Sequence, residues 1–148
     1  MYLLKTEKSF DAAHFLKGYR GKCSNIHGHR WNVAVEVQSE SLVCDGQLRG
    51  MVVDFKTLKH DLAELADHFD HSLIYEENSL KPSTLCALKE EGFQLTAFSK
   101  RPTAENLSFW FCSALQKKGY DVCRVSVYET PDNCAVYAPC AREVSYVG

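Results

Sequence analysis

Every-other-residue hydrophobicity near the N-terminus and two helical stripes farther on predict an α+β architecture built on an antiparallel sheet. The first sign is the alternation of Trp31, Val33, Val35 and Val37 against Arg30, Asn32, Glu36 and Gln38. The second is the stripe Phe55, Leu58, Leu62, Leu65 and Phe69, followed later by Leu107, Trp110, Phe111, Ala114 and Leu115. The third is order: strand, strand, helix, inserted segment, helix, strand, strand. Neighbours in that order can pair as hairpins, whereas a doubly wound sheet needs a crossover helix between successive strands.

From the N-terminus, Tyr2 to His14 reads as a strand, with Phe10, Ala12 and His14 sharing one side. A loop holding Gly18, Gly21 and Asn25 precedes the Trp31 strand, and by its parity His27 and His29 lie on the Trp31 side. Asp45-Gly46-Gln47 and Arg49-Gly50 form a loop before the apolar Met51-Val52-Val53. Asp54 caps a helix expected to end near Asp70-His71. Pro82 to Glu91 reads as a shorter helix stopped by Gly92, and Phe93, Leu95 and Ala97 as a short strand. Thr103 caps the next helix, with Lys117 and Lys118 in its last turn and Gly119 as its stop. Val122 to Glu129 is a strand, Thr130-Pro131-Asp132-Asn133 a turn, and Cys134 to Tyr137 the returning strand.

The 148 residues suit one domain, 1–148, with an insert at about 76–101. An apolar share of 45%, a charged share of 24% and a net charge of -2 fit a soluble protein, with neither nucleic acid nor membrane expected as partner. The Met1-to-Thr6 start is too short an apolar stretch for a signal peptide, so a cytoplasmic location is expected. Seven cysteines (23, 44, 86, 112, 123, 134, 140) are an odd number without a CxxC, which fits reduced thiols better than a disulfide framework.

Chemistry concentrates in His27-Gly28-His29 with His14 upstream, half of the six histidines. A hairpin joining the first two strands would bring these imidazoles to one ion, leaving an open position on zinc of the catalytic kind. The alternative is a trio of polar residues at one end of a sheet. Cys23 is a candidate thiolate base or nucleophile, equally readable as a fourth metal ligand or a loop cysteine. Asp70-His71 emerges where the first helix stops and reads as a proton shuttle; Asp67-His68 and His60 read as solvated. Glu129 falls on the apolar side of its strand and needs a partner: the paired N–H donors of an aminopyrimidinone, or an internal Arg or Lys. Thr103 and Glu105 are mainly a helix start, with ligand contact through its exposed N–H groups as the functional alternative.

In combination these residues resemble the 6-pyruvoyl-tetrahydropterin synthase and 6-carboxy-tetrahydropterin synthase family. The matching pieces are Phe10 through His14, Cys23 through His29, Gly50 through Phe55, Asp70-His71, Pro102 through Asn106 and Val127 through Thr130. Each is modest alone; together, in order, they are specific. The resemblance implies zinc on His14, His27 and His29, a catalytic Cys23, an Asp70-His71 dyad, and a pterin-anchoring Glu129 that also serves the proton relay. Thr103 and Glu105, within the matching Pro102-to-Asn106 piece, stay candidate substrate contacts on the helix-start reading alone. The implied fold is the T-fold, a four-stranded antiparallel sheet with two main helices on one face. Its trimers close into a β-barrel and often stack as hexamers, with the active site between subunits.

The three residues between Cys23 and His27 resemble the carboxy-tetrahydropterin branch. That implies a zinc lyase converting 7,8-dihydroneopterin triphosphate to 6-carboxy-5,6,7,8-tetrahydropterin, acetaldehyde and triphosphate, in queuosine and 7-deazapurine synthesis. The rival expectations are triphosphate elimination without carbon–carbon cleavage, a zinc hydrolase, and a non-catalytic pterin or metal binder. The stretch from His71 to Pro102 is longer than in compact members of the family. Arg20 and Lys22 are candidate triphosphate contacts, with ordinary surface charge as the alternative.

Overall fold

The computed structural model describes residues 1–139, so Cys140 lies outside the described residues. Its strands are β1 (Tyr2–His14), β2 (His27–Ser39), β3 (Ser72–Glu76), β4 (Leu95–Phe98), β5 (Val122–Thr130) and β6 (Asn133–Tyr137). Its helices are α1 (Phe55–Asp67), α2 (Pro82–Glu90) and α3 (Ala104–Lys117), with a short 3-10 turn at Lys22–Ser24. Among the described residues no helix is long and apolar enough to cross a membrane.

Alternating side chains set the register of β1 on β2. Phe10 pairs with Trp31, stacked 6.2 Å apart at 9°, and carrying that pairing forward places Ala12 opposite His29 and His14 opposite His27. A slip of one residue would move the whole apolar row to the other face, so the core itself locks the histidines together. Trp31, Val33 and Val35 are fully buried beneath α1 and α3, joined there by Val125 and Val127 of β5 and by Leu58, Leu62, Phe69, Leu107, Phe111 and Leu115. The opposite face carries Lys5, Glu7, Ser9, Arg30, Asn32 and Tyr128 around an open groove.

Caps fix the helix ends as the sequence predicts. The Asp54 carboxylate accepts the Lys56 N–H at 2.8 Å, and the Thr103 hydroxyl accepts that of Asn106 at 3.3 Å. Gly119, at φ 96°, ends α3: its N–H reaches the Gln116 carbonyl at 3.0 Å and the Tyr120 N–H reaches Leu115 at 3.2 Å. This is the paired closure of a Schellman motif.

The sheet corrects the expected four antiparallel strands. Among the described residues it has six, in the order β4-β3-β1-β2-β5-β6. The β1–β2, β2–β5 and β5–β6 pairs are antiparallel, while β3 runs parallel to β1 and β4 parallel to β3. Parallel strands carry short continuous apolar runs instead of alternation, so Leu73-Ile74-Tyr75 passes unnoticed as a strand. The intervening α2 supplies the crossover that parallel pairing requires. Two smaller corrections concern α1. It ends at Asp67, a few residues before the dyad, and Phe55, its first residue, is half exposed instead of completing the apolar stripe.

An ionic clamp joins α1 to the end of α3. The Tyr120 hydroxyl donates to Asp61 at 2.6 Å, and Lys118 reaches Asp61 at 3.3 Å and Glu64 at 2.7 Å. The Tyr120 hydrogen bond, then Lys118, holds the Asp61 carboxyl below the ordinary carboxylate range. A depressed carboxyl stabilises the fold above its unfolded pKa and loses that contribution as pH falls through the folded one. Tyr120→Phe is therefore expected to destabilise by about 1 kcal/mol at neutral pH, with the gap to the parent narrowing in acid. Denaturant melts at neutral pH and below the ordinary carboxylate range check this; a constant gap would contradict it.

Candidate metal centre

Register alone brings His14, His27 and His29 to one end of the β1–β2 hairpin, on the helix-covered face. There they form a cluster with Glu129 in which one donor atom from each residue lies within 4.8 Å of the other three. Fully buried Trp31 forms the floor, meeting the His14 ring edge-on at 4.9 Å and the His29 ring at 5.4 Å. Glu129, on β5, points the same way. Its Oε1 lies 3.2 Å from His14 Nε2 and 3.4 Å from His29 Nε2. The partner its strand position demanded is thus a pair of imidazoles, not an arginine or lysine.

Backbone carbonyls orient the rings. His14 Nδ1 donates to the Pro102 carbonyl at 2.7 Å and His27 Nδ1 to the Asn25 carbonyl at 2.8 Å. A carbonyl only accepts, so each Nδ1 carries a proton, and the nitrogen left to bind a metal on either ring is Nε2, which faces inward. These two Nε2 atoms face each other at 3.1 Å. Among the described residues His29 Nε2 is buried without a hydrogen-bond partner. Burial pushes the pKa values of His14 and His29 below the ordinary imidazole range, favouring neutral rings. Inward-facing lone pairs, a carboxylate and an orphaned buried nitrogen form a donor set that suits a divalent cation such as zinc.

The remaining candidates surround this cluster unevenly. Cys23 is half-buried in the 3-10 turn, its carbonyl held by the Leu16 N–H at 2.8 Å. It is not among the clustered donors. Arg101 ties this loop to the start of α3 through the Lys17 carbonyl at 2.6 Å. Arg20 and Lys22 are exposed. Glu105, in the first turn of α3, shares with Glu129 a cleft of about 280 Å³ that Ala104, Asp132 and Cys134 also line. Thr103 caps α3 directly after Pro102, so one short segment both starts the helix and orients His14.

The dyad forms as a pair in its own right. Asp70 accepts the Asp11 N–H at 2.8 Å on one oxygen and His71 Nδ1 at 2.8 Å on the other, while the His71 N–H returns to the Asp11 carbonyl at 2.6 Å. These bonds satisfy the outer edge of β1 and turn the chain into β3, with His71 at φ 54° making the reversal. The His71 ring is 78% exposed. The Asp70 hydrogen bond and its charge raise the His71 pKa, so the ring keeps its proton to higher pH than a free histidine. Asp70→Asn is expected to lower the titration midpoint of His71, read from its ring-proton NMR shift. An unmoved midpoint would contradict that coupling. Asp67, His68 and His60 are exposed, as expected, although His68 stacks on Trp110 at 5.7 Å.

Residues 3–140 match the profile of the 6-pyruvoyl tetrahydropterin synthase family. The chain belongs to that family. Within the tetrahydropterin synthase family, a 6-carboxy-5,6,7,8-tetrahydropterin synthase of Haemophilus influenzae is 31% identical over 140 residues, covering 93% of this chain and 99% of the relative. One from Synechocystis is 32% identical over 139 residues, covering 93% of each. Among solved structures, an uncharacterized protein of Wolinella succinogenes superposes with a TM-score of 0.76 at 21% identity, over 93% of this chain and 97% of that one. The 6-pyruvoyl tetrahydropterin synthase of Caenorhabditis elegans does so with a TM-score of 0.65 at 23% identity, over 93% and 95%. At those identities the superpositions speak for the fold.

Sequence reasoning missed the carbonyls of Pro102 and Asn25 and the Glu129–histidine contact. A backbone carbonyl leaves no residue-type signal. For Glu129 the signal was there, a carboxylate on an apolar strand face, and only the identity of its partner was open.

Proposed function

We propose that this enzyme of the tetrahydropterin synthase type is a 6-carboxy-tetrahydropterin synthase. It would convert 7,8-dihydroneopterin triphosphate and one water to 6-carboxy-5,6,7,8-tetrahydropterin with release of acetaldehyde and triphosphate, serving queuosine and 7-deazapurine synthesis. The observation that carries the reading is the inward-facing His14, His27 and His29 cluster beside a cleft lined by Glu105 and Glu129. The names of the relatives from Haemophilus influenzae and Synechocystis support the carboxy product.

Each residue then has a task. His14, His27 and His29 hold the ion; zinc bound there supplies Lewis acidity toward the side-chain hydroxyls of the substrate. Cys23 removes a proton as thiolate, and His71, oriented by Asp70, moves protons on the other side of the side chain. Glu129 and Glu105 accept the paired N–H donors of the pterin ring, and Thr103 sets the helix start against which it lies.

The exposed dyad and the sheet edges favour a homo-oligomer, a trimer or hexamer with the site shared between subunits. Among the described residues β3 pairs with β1 only at Ala12–His14, and β6 is a terminal strand with Val136 56% exposed. Joining such edges into a barrel would leave none of them bare.

The test is incubation of zinc-loaded protein with 7,8-dihydroneopterin triphosphate, with products identified by mass. Acetaldehyde and the carboxypterin together are expected. Triphosphate release without acetaldehyde would replace this reading by the pyruvoyl reaction, and no triphosphate release would overturn both.

A further inference from the structure

We infer that Glu129 is a displaceable fourth donor of the metal site, closing the coordination shell in the substrate-free protein and yielding its place to an incoming substrate oxygen. Spacing carries this most directly. Zinc bonds to nitrogen and oxygen of about 2.0–2.1 Å, arranged tetrahedrally, put neighbouring donor atoms about 3.3 Å apart. The separations here are 3.1 Å from His14 Nε2 to His27 Nε2, 3.2 Å from His14 Nε2 to Glu129 Oε1, and 3.4 Å from His29 Nε2 to Glu129 Oε1. By these three separations the carboxylate oxygen fits a vertex of one coordination polyhedron with the imidazoles.

The four donors are held unequally. His14 is 1% exposed and pinned by Pro102, and His27 is pinned by Asn25. The Glu129 side chain is 29% exposed and opens onto the cleft beside Glu105. Its backbone lies at the break in β5–β6 register between Tyr128 and Thr130, outside the regular ladder. Of the four, it is the donor that can swing away while the others stay. Three neutral imidazoles leave a divalent ion its full charge, and a carboxylate offsets half of that. On departure it would be freed beside the arriving ligand, placed to accept a proton or the ring N–H donors. This inference rests on the proposed function for the identity of the incoming oxygen, but not for the donor role itself.

The experiment uses full-length protein loaded with cobalt(II), comparing the parent, Glu129→Gln and Glu129→Ala without pterin. Affinity is read by competition with a chromophoric chelator, and coordination by the cobalt visible bands. Glu129→Gln is expected to weaken cobalt binding at least ~10-fold and to reduce band intensity, and acetate should restore the bands of Glu129→Ala. An unchanged affinity and spectrum in Glu129→Gln would overturn the donor role, whatever the enzyme turns over. On saturation with 7,8-dihydroneopterin, the parent and Glu129→Gln spectra should converge as the carboxylate leaves. Spectra that stay as different as before would overturn displacement. A failure of 7,8-dihydroneopterin to alter either spectrum would count against displacement and the substrate reading while leaving the donor comparison decided.

Discussion

His29→Ala is expected to abolish tight metal binding and to reduce turnover by more than ~100-fold, because it removes a ligand and not merely an outer-shell partner. The residue is 18% exposed at its side chain, so the substitution leaves the Trp31 floor and the core beneath it in place. Metal content of the purified protein, thermal melts and steady-state rates read the effect. In the parent, zinc at ~100 times its dissociation constant should stabilise the fold by about 2.7 kcal/mol, and a chelator should remove that gain. In His29→Ala the melt should respond little to either. A variant that still bound zinc stoichiometrically and turned over at the parent rate would contradict the assignment of His29.

Cys23→Ala separates chemistry from metal binding. Cys23 stands apart from the clustered donors, on a turn held by the Leu16 N–H and followed by the Asn25 carbonyl that orients His27. The variant should therefore keep its metal and its melting behaviour while kcat falls ~10²–10⁴-fold, the range for losing a positioned proton-transfer group. Loss of metal together with activity would instead make Cys23 a ligand. Native turnover in a zinc-bound Cys23→Ala protein would exclude the thiol from the reaction.

Different physical signals explain which parts of this protein could be read from its residues. The β1–β2 register was legible because Trp31, Val33, Val35 and Val37 bury one face, and that same parity carried His27 and His29 toward His14. The N-caps at Asp54 and Thr103 were legible because short oxygen-bearing side chains bond backbone N–H groups locally. β3 was not, since a five-residue strand joined in parallel to β1 depends on a distant partner and shows no alternation. The pairing of β4 failed for the same reason, although its existence did not.

At the site, side chains announced themselves and the backbone did not. Three histidines and Glu129 could be picked out one by one, but the carbonyls of Pro102 and Asn25 that turn the rings inward come from the folded path of two loops. The Asp70-His71 pair was visible as a dipeptide. Its anchoring to both backbone groups of Asp11, and the left-handed φ of 54° at His71, were not.

Diffraction from zinc-loaded crystals, with anomalous data collected at the zinc edge, tests the whole account most directly. One peak is expected about 2.0–2.1 Å from Nε2 of His14, His27 and His29 alike. Rings splayed apart, or anomalous density located elsewhere with these nitrogens facing only one another, would contradict it.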